Sequence, residues 1–298
     1  MSHAIGIDLG GTEIKAVAAT LSGEILNRSR AKTAAVGEAW KEEVQRLVRA
    51  LEDATGGVAA SIGLAAPGLA AMDSRSVAVL PGRLPGIEGF DWTTFLGRPD
   101  AVTVLNDAHA ALLGESWCGA AASFRDVILL TLGTGVGGAI LAEGRLLKGA
   151  IGRAGHFGHV SIEPSPERSI AGTPGALELA IGNCTIRERS RGRFASTLDL
   201  IQAHRSGDLV ATALWTESVK ALGRALVGFI NVLDPEAIII GGGIAQAASD
   251  LFALLSAELD KFEWRPAGHR VQVLPAALGE WAGALGAAKY ALDHESHR

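Results

Sequence analysis

Ala4-Ile5-Gly6-Ile7-Asp8-Leu9-Gly10-Gly11-Thr12 stands at the start of the chain and joins an apolar run to a pair of glycines. Further apolar residues follow at positions 14 and 16–19, and Ser22-Gly23 precedes another apolar pair at 25–26. Short apolar runs separated by glycine-rich turns are typical of strands joined by hairpins. Because the first turn leads into a strand and not into a helix, it is not a Walker phosphate loop. The stretch predicts a unit of three strands.

The same pattern occurs a second time, in residues 127–147. An apolar run over 127–132 is followed by the turn Gly133-Thr134-Gly135, a second apolar run and a Glu143-Gly144 turn. A unit repeated at the spacing of a domain indicates a duplication. The sequence therefore predicts an α/β protein with two like-folded lobes that face a cleft.

Periodic apolar residues predict the remaining helices and strands. Over residues 39–55 the apolar positions fall on one helical face, formed by Trp40, Val44, Leu47, Val48 and Leu51. The other predictions are strands over 59–66, 102–105 and 237–240 and helices over 108–117, 212–233, 251–262 and 281–292. Residues 164–174 are expected to form an exposed loop, and residues 293–298 a frayed polar tail.

The composition excludes several classes of protein. The 298 residues are 48% hydrophobic and 20% charged, which allows a packed core and excludes a disordered chain. A net charge of −5 argues against an electrostatic nucleic-acid binder. The longest uncharged stretch, 54–72, is interrupted by glycines and a proline and is a poor membrane span. With no signal-like N-terminus and no CxxC pair, a cytoplasmic protein without a membrane partner is expected.

Three glycine-rich turns follow predicted strands and suit the binding of a nucleotide such as ATP. Glycine allows the backbone to approach a phosphate closely and to direct its N–H groups at the oxygens. Asp8 is a candidate to organise the magnesium ion that accompanies a nucleotide. The candidate nucleotide-binding residues are Asp8, Gly10, Gly11, Thr12 and Lys15 around the first turn, Gly133, Thr134, Gly135 and Gly137 around the second, and Gly242 and Gly243 in the third.

The order of these motifs resembles the actin-like ATPase superfold and, within it, the ROK family of bacterial sugar kinases and repressors. The resemblance spans nearly the whole chain. It implies a two-lobed, ribonuclease H-like duplication with lobes at residues 1–108 plus 284–298 and at 109–283. The motifs that carry it are Ile7-Asp8-Leu9-Gly10-Gly11-Thr12-Glu13-Ile14-Lys15, Leu105-Asn106-Asp107-Ala108-His109, Leu132-Gly133-Thr134-Gly135-Val136-Gly137-Gly138, Gly155-His156-Phe157-Gly158-His159, Leu233-Asp234-Pro235-Glu236 through Gly243, and Gly283-Ala284-Leu285-Gly286.

The resemblance implies that Asp107 is the catalytic base and that Asn106 and Asp107 together hold the sugar. A kinase that acts on alcohols needs a carboxylate near the attacking hydroxyl to orient it and accept its proton. An Asn-Asp pair before a helix is also typical of an N-cap, and the sequence leaves that interpretation open. Gly68, after the strand over 59–66, is a further candidate for the sugar site.

The segment after the second copy departs from the family pattern. His156 stands where the family has a sugar-holding glutamate, so it is either an altered sugar ligand or a structural histidine. His159 matches the second sugar-binding position of the motif. The family's zinc-binding cysteines are missing from the stretch that follows, and no structural zinc is expected. Glu178 matches a sugar-contacting glutamate, with an ordinary acid in the first turn of a helix as the alternative.

Two sets of arginines also allow two interpretations. Arg83 stands where relatives have an asparagine that faces the sugar, and it either binds an acidic group or pairs with surface carboxylates, which we favour. Arg187, Arg189, Arg191 and Arg193 alternate along the chain. Such a run is either a polyphosphate track or, as we predict, a solvated face or the rim of an interface.

The resemblance implies an enzyme that phosphorylates a hexose from ATP and magnesium, usually at the 6-hydroxyl, and that forms a homodimer. The alternative is a sugar-sensing protein without catalysis, since many family members are repressors with an N-terminal helix-turn-helix domain. The first phosphate motif begins at residue 5 and the chain is acidic, so the enzyme is expected. Glucose, mannose, fructose and N-acetylated hexosamines remain open as substrates, as does polyphosphate as the donor.

Overall fold

The computed structural model describes residues 2–33 and 37–295, and the chain divides into two compact units. The first unit comprises Met1–Ser123, Leu146–Ala154 and Ala277–Arg298, and the second comprises Phe124–Arg145 and Gly155–Ala276. Within the described ranges, none of the helices has the length and apolar character needed to cross a membrane.

Both strands and helices occur in each of the two units. The strands are β1 (His3–Leu9), β2 (Glu13–Thr20), β3 (Ile25–Lys32), β4 (Ser61–Ala66), β5 (Leu69–Ala70), β6 (Val77–Val79), β7 (Thr103–Asn106), β8 (Val127–Leu132), β9 (Val136–Ala142), β10 (Arg145–Leu146), β11 (Ala237–Gly241) and β12 (Gln272–Pro275). The helices are α1 (Trp40–Thr55), α2 (Trp92–Phe95), α3 (Asp107–Cys118), α4 (Leu177–Ile181), α5 (Ile186–Arg189), α6 (Thr197–Arg205), α7 (Leu209–Leu233), α8 (Ser249–Phe262) and α9 (Ala282–Glu295).

The first unit contains a five-stranded sheet in the order β3-β2-β1-β4-β7. β1, β2 and β3 form antiparallel hairpins, whereas β4 runs parallel to β1 and β7 runs parallel to β4. Asp8 pairs with Ala65, and Ala66 pairs with Asn106. The carboxyl ends of β1, β4 and β7 therefore meet at one edge of the sheet, where ligands bind in open α/β sheets.

The second unit repeats this arrangement with the order β10-β9-β8-β11-β12. β8 and β9 are antiparallel, and β11 runs parallel to both β8 and β12. Each strand of this sheet has its counterpart in the first sheet at the same place in the order. The duplication predicted from the two glycine-rich hairpins is thus confirmed.

α3 and α9 pack closely against each other in the first unit because glycine occurs at their contact. A Cβ atom at Gly286 would lie 1.6 Å from the carbonyl oxygen of Ala110, and one at Gly114 would lie 2.4 Å from that of Ala282. Only glycine allows two backbones to approach this closely. This packing fixes α3, whose first residue is Asp107, against α9.

α1 covers the other side of the first unit's core. The apolar face predicted for it is confirmed, since its large apolar residues are all buried. Trp40 contacts Trp92 and Phe90 at ring-centroid distances of 5.7 and 6.3 Å. Burial of each such side chain contributes about 1.5–3 kcal/mol, so this face holds the helix in place.

α7 supplies much of the second unit's core. Trp215 is fully buried, and its indole N–H donates to the carbonyl of Asp250, 3.2 Å away, near the start of α8. α7 begins three residues before the predicted start at 212, because the Asp208 carboxylate caps it by accepting from the backbone N–H groups of Val210 and Ala211.

Two predictions from the sequence are wrong in part. α9 continues to Glu295, so residues 293–295 are helical and not a frayed tail, while residues 296–298 lie outside the described residues. Arg187, Arg191 and Arg193 are exposed as predicted, but the Arg189 side chain turns inward and donates to Ser218. Both differences depend on packing against distant parts of the chain, which local periodicity does not register.

The bounds of the two compact units differ from those of the predicted lobes. α3 remains with the first unit because it packs along α9. The predicted boundary at 108/109 falls within α3 and the one at 283/284 falls within α9, so they assign most of each helix to a different lobe. The division of the protein into functional lobes stays a prediction.

Candidate active site

Asn106 ends β7 and caps α3. Its side-chain oxygen accepts from the backbone N–H groups of Ala108 and His109, at 3.0 and 3.2 Å, and its amide donates to the carbonyl of Gly68 at 2.9 Å. The N-cap interpretation is therefore correct for Asn106, which is buried. Its oxygen is already occupied, so only the second amide hydrogen is available to a sugar. Gly68 and Asn106, both predicted sugar-site residues, are in direct contact.

Asp107 is the first residue of α3. Its carboxylate accepts from the backbone N–H of Ala108 at 2.8 Å, while the residue retains access to solvent. The protein packed around the carboxylate raises the pKa of Asp107, and the positive charge of Arg83 acts in the opposite direction. A carboxylate that is held by the helix terminus and open to solvent is suited to accept a proton from a bound alcohol.

Asp8 lies at the same sheet edge, at the end of β1. Burial and the negative charge of Asp107 raise the pKa of Asp8 to about 7, although the ammonium of Lys15 opposes this. A Cβ atom at Gly283 would lie 2.8 Å from the Asp8 carboxylate, so the start of α9 closes over it. Two carboxylates that repel each other form an oxygen-donor set of the kind that Mg²⁺ favours when phosphates complete its shell.

Thr33, which no sequence motif singled out, holds the turn between β1 and β2. The Thr33 hydroxyl donates to the carbonyl of Gly10 at 2.7 Å, and its backbone N–H donates to the carbonyl of Thr12 at 3.0 Å. Gly11 and Thr12 are left exposed at the tip of the turn. Its backbone N–H groups and the Thr12 hydroxyl are thus accessible to a phosphate.

The ammonium of Lys15 is held by two carboxylates and is not free to bind at the turn between β1 and β2. It pairs with Asp8 across the β1–β2 hairpin, and its ammonium lies 3.5 Å from the carboxylate of Glu13 and 3.6 Å from that of Glu280. The two acids hold the ammonium in place, so a phosphate would have to compete with them for it.

The corresponding turn of the second unit joins β8 to β9. It is tight, with the backbone N–H of Gly133 donating to the carbonyl of Gly135 at 3.0 Å. Gly242 has a positive φ of 87°, and a Cβ atom there would lie 2.3 Å from the carbonyl oxygen of Leu132. The third glycine turn, which includes Gly243, therefore packs directly against the second. Gly137 lies within β9 and pairs with Thr131 of β8.

The two candidate histidines and Glu178 gather near this turn. The His159 Nδ1 lies 3.4 Å from the Glu178 carboxylate, and the rings of His156 and His159 stack with centroids 6.3 Å apart. As a hydrogen-bond acceptor and as a negative charge, Glu178 raises the pKa of His159, against the effect of partial burial. Glu178 is 6% exposed, and a Cβ atom at Gly135 would lie 2.6 Å from its carboxylate oxygen. Of the predicted sugar residues, Glu178 therefore lies directly against the predicted phosphate turn.

Metal-binding side chains are dispersed in the described part of the chain. No group of three or more His, Cys, Asp or Glu residues stands together there as a metal cluster. Cys118 is in the first unit and Cys184 in the second, and both thiols are free. The absence of a structural zinc remains a prediction.

Comparison with known proteins assigns the chain to a family. The profile of the ROK family matches residues 4–294. The glucokinase of Thermotoga maritima is 33% identical over 305 residues, which cover 95% of each chain. An N-acetylmannosamine kinase of Escherichia fergusonii is 30% identical over 290 residues, which cover 95% of this chain and 96% of that one.

A solved structure gives the same result for the fold. The ROK family glucokinase of Streptomyces griseus, in complex with glucose and AMPPNP, is 28% identical and superposes with a TM-score of 0.80. The match covers 98% of this chain and 100% of that chain. The two sheets of like order are therefore those of an actin-like kinase fold. With a profile match from residue 4 to residue 294 and a relative at 33% identity, the chain belongs to the ROK family.

Proposed function

We propose that this protein is an ATP-dependent sugar kinase that transfers the γ-phosphoryl group to a hexose hydroxyl, with Asp107 as the general base. The observation that carries the proposal is the placement of the Asp107 carboxylate, which opens to solvent at the sheet edge that also holds Asp8. Phosphoryl transfer to an alcohol needs little more from the protein than positioning, a proton acceptor and stabilisation of charge.

In the reaction, Asp107 accepts the proton of the sugar hydroxyl as its oxygen attacks the γ-phosphorus and the bond to the β-phosphate oxygen breaks. The products are a sugar phosphate and ADP. The resemblance to the ROK family supports the 6-hydroxyl of the hexose as the acceptor. The raised pKa of Asp107 brings its proton affinity closer to what a general base needs near neutral pH.

The glycine turns of both units supply the proposed contacts to ATP. Backbone N–H groups at Gly10–Thr12 and Gly133–Gly135 are suited to phosphate oxygens, and Gly242–Gly243 leaves room for the ribose or base. Magnesium, when bound with ATP, supplies positive charge to the phosphates. Asp8 would hold it, because its carboxylate lies at the end of β1, directly before the first turn.

For the sugar, we propose contacts from Asp107, Asn106 and Gly68 of the first unit and from His159, Glu178 and His156 of the second. The Glu178 carboxylate lies 3.4 Å from the His159 Nδ1, and its oxygens are suited to accept from sugar hydroxyls. His159 donates through its other ring nitrogen. His156 presents an imidazole ring with a single acceptor in place of a carboxylate, which weakens recognition of two neighbouring hydroxyls.

The replacement at His156 favours a second candidate substrate class, the N-acylated hexosamines. An acetamido group has a carbonyl oxygen to which an imidazole N–H donates, whereas a carboxylate would repel it. The relationship to N-acetylmannosamine kinases supports the inclusion of this class. Glucose remains the first candidate because the Thermotoga maritima glucokinase is 33% identical to the chain, against 30% for the N-acetylmannosamine kinase.

We also propose that the protein acts in the cytoplasm as a homodimer. ATP is a cytoplasmic substrate, and two free thiols suit a reducing compartment. The homodimer is supported by the family resemblance alone. Light scattering coupled to size-exclusion chromatography tests it, and a monomer at micromolar concentration would contradict it.

The test of the function is an ADP-release assay with magnesium-ATP over a panel of hexoses and N-acetylated hexosamines, with Asp107→Asn as the central variant. Asp53→Asn on the exposed side of α1 is the matched control. We expect sugar-dependent turnover that falls by about 10²–10⁴-fold in Asp107→Asn and is unchanged in the control. A parallel arm with polyphosphate identifies the donor.

Two outcomes would contradict the proposal. Wild-type turnover in Asp107→Asn would exclude this residue as the base. Sugar binding seen by calorimetry without turnover of any sugar would instead indicate a sensing protein.

A further inference from the structure

Arg189, at the end of α5, is the inward-facing member of the arginine run. Its guanidinium donates to the Ser218 hydroxyl at 2.6 Å, to the carbonyl of Gly182 at 3.1 Å and to the Thr185 hydroxyl at 3.1 Å. All three acceptors are neutral, and within the described chain Arg189 forms no ion pair with a carboxylate. Burial lowers its pKa to about 10. A cation withdrawn from water without a counter-charge is costly, so surface solubility does not account for it.

Two of the three contacts of Arg189 fall on one segment, Gly182–Thr185. The guanidinium binds the first residue of the segment through its carbonyl and the last through its hydroxyl. The Thr185 hydroxyl in turn donates to the carbonyl of Leu179 at 2.9 Å. Arg189 thus binds at the carboxyl end of α4, where unpaired backbone carbonyls favour a positive charge.

The other side of this segment supports the phosphate turn. The backbone N–H of Asn183 donates to the carbonyl of Gly133 at 3.0 Å, and that of Cys184 donates to the carbonyl of Thr134 at 2.8 Å. These two carbonyls are therefore oriented toward the segment. The orientation of the peptide groups in the turn Gly133–Gly135 therefore depends on the position of Gly182–Thr185.

The same segment also continues from the helix that carries Glu178. The backbone N–H of Gly182 donates to the carbonyl of Glu178 at 2.8 Å, and the Glu178 carboxylate abuts Gly135. A displacement of the segment would therefore move the phosphate turn and Glu178 together. Gly182–Thr185, the turn Gly133–Gly135 and Glu178 therefore form one block, which contains a proposed sugar ligand and a proposed phosphate-binding turn.

We propose that Arg189 is a positioning residue that locks this block and so couples the binding of sugar to the binding of nucleotide. The proposal rests on the proposed function, because it assigns Glu178 to the sugar and the turn to a phosphate. Arg189 acts through Gly182–Thr185. Its planar fork presents three separate nitrogens to the three acceptors, whereas the donors of a lysine ammonium all lie on one nitrogen.

The test measures coupling directly. The affinity for AMPPNP with magnesium is determined by calorimetry without sugar and with saturating glucose, or N-acetylmannosamine if only that sugar turns over. Arg189→Met removes the fork, Arg189→Lys keeps the charge, and Arg187→Met on the exposed side of α5 is the control. Thermal unfolding establishes which variants are folded.

In the wild type and the control we expect the sugar to tighten AMPPNP binding by about 5-fold or more, a typical coupling. In Arg189→Met this factor falls to about 1, while in Arg189→Lys it is intermediate. If Arg189→Met does not fold, Thr185→Val, which removes one of the three acceptors of Arg189, is expected to reduce the factor.

Coupling that is absent from the wild type, or unchanged in folded Arg189→Met, would overturn the proposal. An unchanged coupling factor in Thr185→Val would likewise overturn the proposal. Failure of the proposed function looks different, because the wild type would then turn over no sugar, whether or not it binds one.

Discussion

Gly135 offers the sharpest test of how the phosphate turn and Glu178 depend on each other. In Gly135→Ala the new Cβ would lie 2.6 Å from the Glu178 carboxylate oxygen, and among the described residues beyond its chain neighbours no other comes within 4 Å of it. The φ of Gly135 is outside the left-handed region, so alanine strains the backbone little. The substitution therefore acts almost entirely through Glu178.

The size of the effect follows from this distance. To restore an ordinary contact of 3.4 Å, the carboxylate must withdraw by about 0.8 Å, which is the difference between 3.4 and 2.6 Å. Glu178 is buried, so its neighbours resist the movement. A misplacement of about 1 Å at a binding group lowers catalysis by up to about 10²-fold. We expect kcat/KM for the sugar to fall by about 10–100-fold and stability to fall by about 1–3 kcal/mol.

The assay is steady-state kinetics on Gly135→Ala, Glu178→Asp and the double variant, with urea unfolding of each. Aspartate is one methylene shorter and retracts the carboxylate from the new methyl group. The double variant should therefore lose much less activity than the product of the two single losses. Gly228→Ala is the control: it lies exposed in α7 with an open Cβ position, and should be more stable by about 0.5–1 kcal/mol with unchanged kinetics.

The reasoning is refuted if Gly135→Ala has wild-type kcat/KM. It is also refuted if the losses of the two single variants simply multiply in the double variant, because the methyl group and the carboxylate would then not be in contact.

Three further predictions concern the first unit. The pKa of Asp8 is raised from 3.8 to about 7, so the folded state favours its neutral form, and the stability of the protein should decline between about pH 4 and pH 7. A pH series of thermal unfolding would show this decline. Asp8→Asn should raise Tm at pH 8 and abolish magnesium-dependent turnover. Gly286→Ala places a Cβ 1.6 Å from the Ala110 carbonyl oxygen and should destabilise by about 3 kcal/mol or more, measured by urea unfolding; a smaller loss would mean that α3 and α9 separate easily. Glu115 is fully buried and accepts from the N–H groups of Ala120, Ala277 and Leu278, so Glu115→Gln should cost about 1–3 kcal/mol, and an unchanged urea midpoint would contradict this account.

Much of the fold could be predicted from the sequence because its signals are local. The paired hairpins around Gly10 and Gly133 predicted the duplication, which the identical strand order of the two sheets confirms. The predicted strands and helices agree with the structure to within three residues at each end. Apolar periodicity and glycine turns depend on neighbouring residues, so they can be interpreted without knowing the tertiary contacts.

The proximity of Asp8 to Asp107 could also be anticipated in part. Each stands at the end of a strand, and parallel strands bring their carboxyl ends to the same edge. The sequence could not provide the register of the strands or the effect of this proximity on the pKa of Asp8. The pKa of Asp8 rises because the two carboxylates and the start of α9 meet there, from positions far apart in the chain.

By itself, then, the sequence determined the duplicated α/β architecture, the glycine turns and the residue types from which the site is built. Only the tertiary structure decided what those residues contact. Arg189 belongs by composition to an exposed arginine run, yet it turns inward because Ser218 and the carboxyl end of α4 provide its acceptors. Likewise Glu178 meets Gly135 across more than forty residues of chain. Such contacts depend on how distant elements pack, and no local pattern encodes them.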